Sequence, residues 1–198
     1  MMKKFMNILI SFVVVVLITG CASSPPSRFY TLSQTTTTAV TSPATYSVSV
    51  GPVSVPAVVD RLQIVVRTDP NQVLIDEFNR WASPLKDDIA RVVAGNLVSV
   101  LGTTQITLFP KSTAAGVSYR VIIDILRFDS ELGKAATLDA LWSVSSAKDG
   151  RTHRSRTTIM EATQGGNYAD LVAAHSRALL QLSAEIAKTI REIEAQKP

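Results

Sequence analysis

Cys21, His153 and His175 are the side chains whose types suit nucleophilic or acid–base chemistry near neutral pH. Cys21 is the sole cysteine and follows Ile18-Thr19-Gly20, a branched apolar residue and two small ones. With no second cysteine an internal disulfide is impossible. A nucleophile needs a base within reach and a donor pocket, yet only two histidines are available and no Gly-x-Ser-x-Gly elbow occurs. His175 falls beside the apolar helix face of Leu171 and Leu179, where a packed or edge histidine is the favoured reading. His153 follows a turn among Arg151, Arg154 and Arg156, which read as solvated turn charges, the other reading being contact with lipid phosphates or an acidic partner. Metal sites need His, Cys or carboxylates at facing spacings, and none is expected here. Asp87 and Asp88 are better explained by a helix dipole, and no Gly-rich loop leads into Lys-Ser or Lys-Thr. The expected chain is not an enzyme and carries no cofactor beyond a covalent lipid on Cys21.

The elements around Cys21 give its chemistry a context. Lys3 and Lys4 precede the apolar stretch Phe5–Leu17, which is shorter than the roughly 20 residues a spanning helix needs. Residues 1–20 therefore read as a signal peptide, and Ile18-Thr19-Gly20-Cys21 resembles the lipobox of bacterial secretory lipoproteins. Cys21 is expected to become the first mature residue, carrying palmitate-type acyl chains. One chain binds a membrane reversibly, and two or three anchor it lastingly. Ala22 follows the cysteine, rather than the Asp that resembles an inner-membrane retention signal, so the expected location is the periplasmic, inner leaflet of the outer membrane. Loss of Lys3 and Lys4 leaves 18 basic against 16 acidic residues, a formal charge of +2. So small a surplus, without clustering, speaks against nucleic acid as a partner.

Residues 21–44 read as lipidated Cys21 followed by a tether rich in Ser, Thr, Pro and Gln, too poor in large apolar groups to fold. A free coil of these 23 residues after the cysteine would reach about 25–30 Å r.m.s. and at most about 80 Å. One island interrupts it, Arg28-Phe29-Tyr30-Thr31-Leu32, which could add an edge strand or dock on the domain.

Residues 45–198 suffice for one periplasmic domain with a real core. Tyr46, Val48 and Val50 alternate as a strand that Gly51-Pro52 is expected to stop, a second strand spans Leu62–Arg67, and Gln72–Ile75 is a third, short one. A helix is expected to open with Ser83 as N-cap and Pro84 at its first position, and to end at Gly102. Four further strands fit Gln105–Phe109, Val117–Phe128, Ala136–Ala147 and Thr152–Thr163 as a meander, Asp149-Gly150 being a hairpin dipeptide. A last helix starts near Asn167 and lines up Leu171, Leu179, Leu182, Ile186 and Ile190. The predicted fold class is α+β: a mainly antiparallel sheet, with a mixed one as the variant, and two amphipathic helices packed on one face.

Five residues lack a secondary-structure rationale: Arg61, Gln63, Asn79, Arg80 and Trp81. Trp and Arg are enriched at interface anchors, so these are the candidate partner or oligomer interface. The competing reading has Trp81 capping a sheet edge while Arg61 and Arg80 pair with Asp60, Asp76 or Glu77.

At these same residues the chain resembles the PqiC-type auxiliary lipoproteins of ABC-type transport systems. The resemblance rests on Phe29-Tyr30-Thr31-Leu32, on Val50-Gly51-Pro52-Val53-Ser54-Val55-Pro56 leading to Asp60-Arg61 and Gln63-Ile64-Val65, and on Phe78-Asn79-Arg80-Trp81-Ala82 before Pro84-Leu85. Leu62 and Asn79 depart from it, standing where the family often has Pro and His. The resemblance implies a passive subunit working with an MCE-type periplasmic protein and an ABC-type inner-membrane complex in lipid transport between membranes, supporting envelope integrity. It also implies assembly into a homo-oligomeric ring. The alternative is a stand-alone lipid-binding or envelope-assembly lipoprotein.

Overall fold

The computed structural model describes residues 2, 24–35, 44–110 and 116–196. Cys21, most of the expected leader and the stretch 36–43 lie outside the described residues.

Among the described residues eight strands and two full helices follow in chain order: β1 Arg28–Tyr30, β2 Val48–Ser54, β3 Gln63–Asp69, β4 Gln72–Trp81, α1 Leu85–Leu101, β5 Ile106–Leu108, β6 Tyr119–Glu131, β7 Ala135–Ser146, β8 Thr152–Ala162 and α2 Tyr168–Ala195. They form two sheets, β1-β4-β3 and β5-β2-β6-β7-β8. The class is α+β, as read from the sequence, but the strands divide between two mixed sheets. In the larger, β6, β7 and β8 are an antiparallel meander, while β2 runs parallel to both β5 and β6. In the smaller, β3 and β4 form an antiparallel hairpin to which β1 adds in parallel, Arg28 beside Asn79 and Tyr30 beside Trp81.

Both helices pack on the larger sheet and on each other. Their apolar faces, Ile89, Val92, Val93 and Leu97 of α1 and Leu171, Leu179, Leu182 and Ile186 of α2, meet Val50, Val121, Ile123, Ala140 and Val144 in one core. Burial alternates from Tyr119 to Leu126, as expected of a strand with one covered face. The opposite face is open and mixes exposed Ile122, Leu126 and Leu141 with Arg120, Arg154 and Arg156.

Three local expectations change. Gly51-Pro52 does not end β2; the strand continues past a bulge between Val50 and Val53, where Gly51 takes φ +111° and Pro52 has no N–H to offer the ladder. Helix α1 starts one residue late. Pro84 is its N-cap, with an extended ψ of 128° and a carbonyl that accepts from the amides of Asp87 and Asp88, so Ser83 does not cap it. Strand β4 runs on to Trp81 instead of ending at Ile75. The predicted ends at Gly102, left-handed at φ 69°, and at Asn167, whose side chain accepts the Asp170 amide at 3.0 Å, are as observed.

Candidate functional site

The register of the β3–β4 hairpin jumps between Gln63↔Arg80 and Ile64↔Asp76, leaving Glu77, Phe78 and Asn79 as a bulge. Asp76 organises it. One carboxylate oxygen accepts the amides of Phe78 at 2.8 Å and Asn79 at 2.9 Å; the other accepts the Asn79 side-chain amide at 3.0 Å and the Tyr168 hydroxyl at 2.6 Å. Partial burial acts to raise the Asp76 carboxyl, but the bonds from Tyr168, Asn79 and the two backbone amides outweigh it and hold the group below the usual carboxylate range. Burial and the neighbouring Asp76 push the Tyr168 hydroxyl upward, so it stays a donor. Tyr30 completes the set, its hydroxyl donating to the Asn79 side-chain Oδ1 at 2.9 Å.

Two residues on, Trp81 points into the core, 3% exposed. It stands edge-on to Phe128 at 6.3 Å and to His175 at 6.5 Å, and Phe128 stacks on His175 at 3.9 Å and 9°. His175 is fully buried and bonds through Nε2 to Ser130 Oγ at 2.8 Å. That spacing would suit a nucleophile and its base, but the pair is sealed from solvent and Nδ1 has no hydrogen-bond partner to orient the ring. Desolvation, opposed by the Asp129 charge, drives the imidazole down to about 3, too weak a base for proton abstraction at neutral pH. A protonated ring would also bury a second N–H without an acceptor. The dyad is a packing element, as the sequence reading of His175 expected.

The predicted interface residues divide. Gln63 and Arg80 are cross-strand partners that share Glu77: Gln63 reaches it at 3.3 Å and Arg80 at 3.0 Å. Asn79 belongs to the Asp76 network. Trp81 is withdrawn into the core, and its amide binds the Leu62 carbonyl at 2.6 Å. Arg61 is exposed in the loop before β3, and the neighbouring Asp60 pairs with Lys86 at 3.5 Å rather than with an arginine. Arg80 pairs with Glu77, one of the partners the competing reading named, whereas Trp81 is a core residue rather than a sheet-edge cap. His153 lies 6.1 Å from the Trp142 ring, and two of its arginine neighbours are paired, Arg151 with Asp149 and Arg156 with Asp139, both at 2.6 Å.

Sequence reasoning allowed the Arg28–Leu32 island an edge strand or a dock on the domain but missed the groups that fasten the segment just after β1. Asp88, assigned only to the helix dipole, is buried and accepts from the Leu32 amide at 2.7 Å, from Thr31 Oγ1 at 3.2 Å and from Arg91 Nε at 3.0 Å. The Ser33 amide bonds Ser176 Oγ at 3.1 Å and the Thr35 amide bonds Asn96 Oδ1 at 3.2 Å. Leu32 is 1% exposed between the helices. Gly95, costly inside a helix, leaves room for the Gln34 carboxamide, with which a Cβ there would collide. An isolated Leu after an aromatic pair in a polar stretch was the available signal.

Among the described residues no cluster of three or more His, Cys, Asp or Glu is placed to hold a metal ion, and no helix is long and apolar enough to cross a membrane. A search of functionally curated proteins finds no match. Two crystal structures share the fold: an uncharacterised protein at 20% identity, TM-score 0.70, covering 84% of this chain and 99% of its own, and XCC0632 from Xanthomonas campestris, described as DUF330, at 20% identity, TM-score 0.67, covering 86% and 100%. The family model described as ABC-type transport auxiliary lipoprotein component matches residues 30–187, from the last residue of β1 to late in α2 and through the whole Asp76 and Trp81 assembly. The chain belongs to that family of ABC-type transport auxiliary lipoproteins.

Proposed function

We propose that this chain is a non-catalytic adaptor or ring subunit, acylated at Cys21 and held on the periplasmic face of the outer membrane, in an MCE- and ABC-type system that moves lipids between membranes and maintains envelope integrity. The observation that carries the reading is the commitment of chemically capable groups to structure. Ser130 and His175 are sealed in the core, and Asp76, Asn79, Tyr30 and Tyr168 are spent on joining β1, β4 and α2. Membership of a transport auxiliary family supports a role in assembly rather than turnover.

In this proposal Arg61, Gln63 and Arg80 form the contact rim toward a second copy or the MCE-type partner, Asn79 fixes the bulge beside it, and Trp81 braces it from behind. The test is to solubilise the acylated protein in detergent, cross-link it and capture its partners. Recovery of the ABC-type complex together with an MCE-type protein, lost on Arg61→Glu with Arg80→Glu, is the expected result. A lipid-laden monomer that captures neither would instead establish the stand-alone lipid-binding alternative.

A further inference from the structure

The acyl anchor proposed for Cys21 has far less slack than the composition of residues 22–44 suggests. Slack counts only between the anchor and the first point where the chain is held. That point comes early: β1 is paired with β4 from Arg28, and Pro25 and Pro26 just before it border the same surface cavity as Asp76, Phe78 and Asn79. The island that follows is pinned through Leu32, Ser33 and Thr35, so it cannot pay out, and residues 36–43 lie beyond the pinned segment from Cys21. From Cys21 to Arg28 the backbone spans at most about 25 Å, against the roughly 80 Å of a free tether through residue 44. A lipidated sulfur would therefore hold the bilayer surface within about that distance of Arg28, beside β4.

What β4 presents there has no explanation in the fold. Val73, Leu74 and Ile75 are exposed in succession, 39%, 52% and 37%, and Phe78 on the bulge is 40% exposed. Strand β1 covers β4 only from Asn79 to Trp81, and Pro25 and Pro26, having no N–H, cannot extend that pairing along it. An apolar edge beside a short leash suits the headgroup boundary, where side chains dip into the acyl region while the free backbone edge stays hydrated. Arg28, in the same cavity lining as Phe78, adds a cation for lipid phosphates.

We infer that the β4 edge from Val73 to Phe78 is a membrane-seating surface that rests on the phospholipid bilayer, so that the domain sits on the lipid instead of ranging from it. The inference rests on acylation of Cys21.

The experiment uses the full mature lipoprotein. With Cys21 acylated, an introduced cysteine is the only free thiol. Leu74→Cys, and separately Phe78→Cys in case one variant misfolds, is labelled with an environment-sensitive dye and placed in phosphatidylethanolamine–phosphatidylglycerol vesicles. Lys148→Cys is the control, since its hairpin lies at the Tyr119 end of β6, about 30 Å from the Asp129 end that Arg67 of the β3–β4 hairpin touches. The expected result is a blue shift at 74 and 78 with loss of most emission to brominated lipid, and no change at 148. Emission at 74 and 78 unchanged by vesicles, with mass spectrometry showing acylated Cys21, overturns the seating but not the anchor. A blue shift that brominated lipid does not quench overturns it in favour of a second protein copy or partner on the edge. An unmodified Cys21 overturns the anchor and the seating together.

Discussion

Along β6 exposure alternates residue by residue from Tyr119 to Leu126, whereas along β4 Gln72, Val73, Leu74 and Ile75 are all exposed. Both strands are rich in Val, Ile and Leu. The difference is what lies beneath them: β6 is covered by the helices on one face, so its alternation is an imprint of the core. Strand β4 meets the core fully only at Trp81. Apolar composition alone thus does not separate residues that hold a domain together from residues that it displays; the period does.

The comparison can be broken from either side. The largest effect is expected at the core end of β4: Trp81→Ala leaves a cavity against Phe128 and His175 and should cost about 3–5 kcal/mol in urea denaturation. A cost near zero would mean that the three-stranded sheet is not part of the cooperative unit. Asp88→Ala removes the acceptor of the Leu32 amide and should cost about 2 kcal/mol. Its signature is faster amide hydrogen exchange across residues 28–35 with little change in β7, and uniform acceleration would show that the island has no separate hold.

A pH series sharpens the core side. The native His175 ring stays neutral down to about pH 3, while the unfolded ring takes up a proton below its ordinary value of 6.5. The unfolded state therefore binds more protons between these values, and stability declines as pH falls from 6.5, at up to about 1.4 kcal/mol per pH unit from this group. Above 6.5 the contribution is fully present. His175→Gln should flatten the curve between pH 6.5 and 4.5, before the carboxylates titrate, and an unaltered slope would show that the native ring can take a proton. The smallest effect belongs to the displayed side: Leu74→Ala should change denaturation stability by less than about 0.5 kcal/mol. A cost like that of a core residue would show that the apolar run of β4 is packed after all.

Much of the architecture was legible because periodicity is local. The stripe Ile89-Val92-Val93-Leu97, the stop at Gly102, the cap at Asn167 and the alternation of β6 each follow from neighbours a few residues apart. What escaped depends on distant partners. Nothing around Val48 announces parallel pairing with both Ile106 and Tyr119, and nothing around Asp88 says that its carboxylate will receive the Leu32 amide. The bulge at Glu77–Asn79 was illegible because Asp76 holds it with help from Tyr168, 92 residues away. Of the five candidate interface residues, Gln63, Asn79, Arg80 and Trp81 lie in one hairpin and Arg61 leads into it. Which of them are exposed and which buried could not be read from residue type, because a buried Trp and an exposed one look alike in a sequence.

The seat of Leu32 fixes an order of events during synthesis. Its neighbour Ser33 bonds to Ser176, and Tyr30 lies 6.0 Å from Tyr168, so an early segment of the chain closes against the final helix. A nascent polypeptide that has not yet released that helix leaves Leu32 and the Trp81 side chain with part of their cover missing. The core is therefore incomplete until that helix is available, and a product truncated before Asn167 would present its unfinished interior to proteases.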